Sequence, residues 1–147
     1  MKTTFSAKRM EFTKRAHLAA QGQFYANMFP GLPIAYEDTV ATVRDLDYAI
    51  DCQLAVTAET LRAPLRFAVQ ERWREPSAMR FEDITVTEWN SATSQPSELH
   101  KLGAHLFVYG FYDETADRVV AAAAFDVLKM LHALALRRLS YRRQSRI

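Results

Sequence analysis

Residues 65–74 alternate between two chemically distinct sets of side chains, a period of two that marks a β-strand with one buried face. Leu65, Phe67, Val69, Glu71 and Trp73 share one face, and Arg66, Ala68, Gln70, Arg72 and Arg74 share the other. The same period runs from Asp45 to Val56, where Leu46, Tyr48, Ile50, Cys52 and Leu54 alternate with Asp47, Ala49, Asp51 and Gln53. Asp47 and Asp51 are therefore expected on one side of a strand. Thr57 to Pro64 has the length of a hairpin loop, so the two strands are expected to pair antiparallel. A lone hairpin is marginal in water and needs further strands or a helix against its apolar face.

The rest of the chain supplies those elements. From Ser6 to about Met28 the residues Met10, Phe12, Ala16, Leu18, Phe24 and Tyr25 recur at helical spacing, with a bend expected at Gly22. Phe29-Pro30-Gly31-Leu32-Pro33 stops that helix, and a loop is expected through Glu37 and Asp38. A third strand is read from Phe81 to Trp89, a short helix from Ser97 to Lys101, and a core strand from Gly103 to Tyr112. After a turn at Asp113 to Asp117 come a strand from Arg118 to about Ala123 and a helix from Phe125 to Leu139. This order implies an α/β fold, a mixed central β-sheet of about five strands flanked by helices. With 147 residues, 49% of them hydrophobic, residues 1–147 are expected to form a single domain with a basic C-terminal tail from about residue 137.

The net charge of +2 hides a segregation. Residues 1–36 carry five basic side chains against Glu11, residues 37–126 carry eight basic against sixteen acidic, and the six charged residues beyond Asp126 are all basic. Basic ends around an acidic middle suit a protein that holds a polyanion at its margins and collects carboxylates at its centre. Candidate phosphate contacts are Lys8, Arg9, Lys14 and Arg15 on the first helix, Arg74, and Arg137, Arg138, Arg142 and Arg143 near the C-terminus. A solubilising tail is the plain reading of the last group.

Several chemistries lack their residues. Four glycines give neither a phosphate-binding loop nor a dinucleotide fingerprint. His17, His100, His105 and His132 are scattered, and with the single Cys52 they make no zinc-binding spacing. Cys52 falls on the apolar face of its strand and is read as a packing residue. One cysteine forms no internal disulfide, charges interrupt every N-terminal apolar stretch, and Asp126, Lys129 and His132 interrupt the longest apolar run. The expectation is a cytoplasmic protein with no membrane partner.

What remains is a constellation. If the strands 45–56 and 65–73 pair, Asp47 and Asp51 meet Gln70 and Arg72 on one side of the sheet. Two carboxylates, an amide oxygen and a guanidinium can hold one hard divalent ion, Mg²⁺ or Mn²⁺, and a phosphate. Solvated carboxylates and an idle cross-strand ladder are the plain alternative.

These residues resemble the PD-(D/E)XK, restriction-endonuclease-like superfamily. Within it they are most similar to small proteins, often viral, with an aspartate near the start of one strand and Gln-x-Lys or Glu-x-Lys on the next. The matching positions are Asp47, Gln70 and Arg72, and the resemblance covers Arg44 to Tyr112. It takes in Asp83-Ile84-Thr85 as a strand and Glu98 to Gly110 as a helix and the strand that follows. It implies a nuclease that hydrolyses DNA with Mg²⁺ or Mn²⁺, often as a homodimer, with Asp47 and Gln70 as metal ligands and Arg72 as the transition-state cation; Asp51, on the same expected face, is a further candidate ligand as an auxiliary carboxylate.

Three positions depart from the pattern. Gln70 is neutral where an acid is usual. Arg72 replaces a lysine and stays protonated, so it can hold a phosphate but cannot act as a base. Glu71 is an auxiliary carboxylate only if a one-residue bulge turns it over, since alternation points it away. Lys101 is the candidate for the missing amine. The second reading is a catalytically inactive relative, a nucleic-acid-binding or virion-assembly module, and a small-molecule-binding domain is a third.

Overall fold

A computed structural model describes residues 3–40, 42–86, 89–90, 94–96 and 98–139. Helix α1 (Thr3–Ala20) continues through a π-helical turn at Gln21–Tyr25 into α2 (Ala26–Met28), so the bend expected at Gly22 is a single wide turn. Then follow β1 (Ile34–Asp38), α3 (Val43–Tyr48), β2 (Cys52–Val56) and β3 (Leu65–Arg74). A 3₁₀ helix at Pro76–Phe81 leads to a small ribbon of β4 (Trp89–Asn90) and β5 (Gln95–Pro96), and then to α4 (Glu98–Lys101). The chain ends in β6 (Leu106–Asp113), β7 (Arg118–Asp126) and α5 (Val127–Ala135), which Asp126 caps by accepting from the Lys129 amide at 2.9 Å.

The main sheet has five strands in the order β1-β2-β3-β6-β7. β3 and β6 run parallel and every other neighbouring pair is antiparallel. A parallel pair requires a crossover, and residues 75–105 provide it.

The two faces of β3 separate as the alternation predicts. Val69 and Trp73 join Cys52, Leu54, Val108 and Tyr112 in a core that α1 covers with Ala16 and Ala20 and the π-helical turn with Tyr25. On the other face Ala68 joins Ile50, Phe107 and Tyr109 under Val127 and Leu131 of α5. Gly110 is required by this packing, because a Cβ there would lie 2.2 Å from the Trp73 ring.

Four expectations fail. The strand read from Asp45 begins only at Cys52, and α3 occupies its first part. The loop through Glu37 and Asp38 is the edge strand β1. No strand spans Phe81 to Val86, so Asp83-Ile84-Thr85 is irregular backbone; residues 87 and 88 lie outside the described residues. The last helix starts at Val127, because Phe125 still belongs to β7.

Candidate active site

The site lies where β2 leaves β3. Their ladder ends at Cys52 opposite Val69. Asp51 makes the last backbone bond, from its amide to the Val69 carbonyl at 2.8 Å. The chain then turns away into Ala49, whose φ of 49° closes α3 in the left-handed region. The next donor on β3, the Glu71 amide, is taken by the Asp51 side chain, with Oδ2 accepting at 2.7 Å. Asp51 thus caps an opened sheet edge and borders the cleft beside it.

Gln70 and Arg72 contribute the β3 wall, and Glu98 reaches both from α4. Gln70 Nε2 donates to Glu98 Oε1 at 3.0 Å, and Arg72 donates to Oε2 at 3.3 Å. Asp45, Lys101 and, from α1, Arg9 and Thr13 also line this cleft of about 340 Å³, and Glu71 and Trp73 border it too. Gln70 is only 8% exposed, and among the described residues its Oε1 accepts no hydrogen bond. A buried acceptor left in that state is costly. Burial, together with the nearby charges of Glu71, Asp45 and Glu98, pushes the Asp51 pKa up to about 8 against the opposing Glu71 amide bond. Three oxygen-bearing side chains, one of them an orphaned acceptor and another an under-ionised carboxylate, could hold a hard divalent cation. Asp51, the Gln70 amide oxygen and Glu98 would hold it.

Glu71 belongs to the opposite face, and no bulge turns it over. Its carboxylate accepts from the Tyr25 hydroxyl and from Trp73 Nε1 at 2.9 Å, and His17 Nδ1 stands 3.0 Å from both oxygens. The Cys52 thiol lies 3.8 Å from Oε1. Burial alone would raise the Glu71 pKa, but the bond and charge of His17 and the bonds from Tyr25 and Trp73 hold it below the usual carboxylate range.

The other candidates divide sharply. Asp47 is exposed on α3 and does not border the cleft, so Asp51 takes the place assigned to it. Arg15 bonds Glu114 at 3.0 Å, and Arg74 bonds Thr85 and Tyr109. Lys8 and Lys14 are exposed on α1, as are Arg137 and Arg138 beyond α5; Arg142 and Arg143 lie outside the described residues. Sequence reasoning gave no role to Asp45 or Glu98. The available signal was Asp51 itself, one residue ahead of an uninterrupted run of strand alternation.

Compared with known proteins, the chain matches no family model, no curated protein and no solved structure. Among the described residues no helix is long and apolar enough to cross a membrane.

Proposed function

We propose that this chain is a metal-dependent nuclease that hydrolyses DNA phosphodiester bonds, with Mg²⁺ or Mn²⁺ held by Asp51, Gln70 and Glu98. The observation that carries the reading is the buried Gln70 oxygen, unsatisfied beside two carboxylates. The restriction-endonuclease-like assignment rests on the sequence pattern, with Asp51 in the position first given to Asp47. When bound, the ion supplies Lewis acidity and a more acidic water. Arg72, held in place by Glu98, presents its guanidinium to a phosphate oxygen, and Arg9 and Lys101 attract the backbone to the cleft. On this reading DNA is the partner, and a homodimer would bring one cleft to each strand.

Nicking of supercoiled plasmid with and without Mg²⁺ tests the reading. The wild type is expected to cut only with the ion, and Asp51→Asn and Glu98→Gln to lose at least about 100-fold in rate. Asp47→Asn should cut normally. A folded wild type that shifts DNA in a salt-dependent way but never cuts would establish the inactive binding module instead.

A further inference from the structure

We propose that His17, Cys52 and Glu71 form a second, closed site for one divalent ion of the zinc class, next to the cleft that Glu71 also borders. The three donors come from α1, β2 and β3, so a single ion would tie the helix to two strands. Nδ1, Sγ and a carboxylate oxygen all lie within 4.8 Å of one another, and each residue is buried or half-buried.

Geometry supports a tetrahedral ion. Zinc bonds of about 2.1 Å to N and O and about 2.3 Å to S place N and O about 3.4 Å apart, and S and O about 3.6 Å. The corresponding separations here are 3.0 Å and 3.8 Å, within tenths of an ångström of those values, and Nδ1 and Sγ, which lie within 4.8 Å of each other, close by up to about 1.2 Å on the ion. Tyr25 Oη donates to the same carboxylate. Gln21 Nε2 stands 3.2 Å from the far ring nitrogen of His17 and fixes the ring that would present Nδ1.

Chemistry separates this site from the cleft. A thiolate and an imidazole select a soft or borderline ion, whereas the all-oxygen cleft selects Mg²⁺ or Mn²⁺. On binding, the Cys52 S–H bond breaks and the imidazolium of His17 loses its Nδ1 hydrogen, both protons passing to solvent, while Nε2 keeps its hydrogen and donates it to the Gln21 amide oxygen once that amide turns over. The thiolate and carboxylate then balance the two positive charges, and the buried site stays neutral. Scattered spacing hides such a site in the sequence: the ligands stand at positions 17, 52 and 71, with no pair close enough to form a motif.

The test uses the full chain, stripped by a chelator and titrated with Co²⁺, which replaces zinc and reports a thiolate ligand through a near-ultraviolet charge-transfer band. Cys52 is the only cysteine, so the band has one source. In the wild type the band is expected to reach full intensity at one equivalent, and likewise in Glu98→Gln, which removes a carboxylate that bonds Gln70 and Arg72 in the cleft. Cys52→Ala should lose the band, and it and His17→Gln should each bind Zn²⁺ roughly 100-fold more weakly or worse. If either variant fails to fold, the wild-type band decides. A folded wild type that shows no thiolate band with Co²⁺ overturns the proposal, and so does undiminished Zn²⁺ affinity in both variants.

Discussion

Asp51 accepts from the Glu71 amide, yet the two carboxyl groups are held in opposite electrostatic conditions. Unfolded, Asp51 ionises near 3.8, and folded it does so at about 8. Between those values the native state keeps a proton that the unfolded chain has released, so rising pH favours unfolding. Melting temperature in metal-free buffer should therefore fall from pH 5 to pH 8, and Asp51→Asn should flatten the profile. Added Mg²⁺ should flatten it too. Glu71 has the other sign: its depressed pKa stabilises the fold above the unfolded value and is lost as acid protonates it. Tyr25→Phe removes a donor from that buried carboxylate and should cost about 1.5–3 kcal/mol in denaturant unfolding. Of these two acids, alternation along β3 revealed which way Glu71 faces. Nothing in the sequence revealed that Asp51 would cap its amide, because that depends on where β2 stops.

At the scale of elements, β3 and β6 were legible because buried strands pack side chains at a fixed period. The segment 43–48 was not. Its six residues satisfy a strand pattern and a short helix equally well, and the decision falls to Ala49, whose left-handed backbone ends α3 and aims the chain at Asp51. Tyr48, expected inside, is 55% exposed as a result. β1 was missed because its two inward residues, Ile34 and Tyr36, are too few to set a period against the prolines before and the acids after. Gly110 shows the reverse case, a residue whose importance only packing discloses. Gly110→Ala forces the Trp73 ring from its place and should destabilise by about 1–3 kcal/mol, read as a lower denaturant midpoint with an unchanged slope.

For the whole molecule, the charge count indicated basic margins but not which cations reach the cleft. Arg9 does, whereas Arg15 is bound to Glu114 at the β6–β7 turn. In DNA-binding titrations, Arg9→Ala and Lys101→Ala should each reduce the slope of log affinity against log salt by about 1, and Arg15→Ala should leave it unchanged. Folding α1 onto the sheet also aligns two anchors, His17 and Tyr25, on one carboxylate. They stand eight positions apart, which in an ordinary α-helix at about 100° per residue leaves them about 80° out of phase. The wide turn between them absorbs one residue and restores the phase. Excising Gly22 would leave a seven-position interval, about 20° from alignment, and let the ladder close regularly. A loss that would scramble most helices is thus one this helix is built to survive.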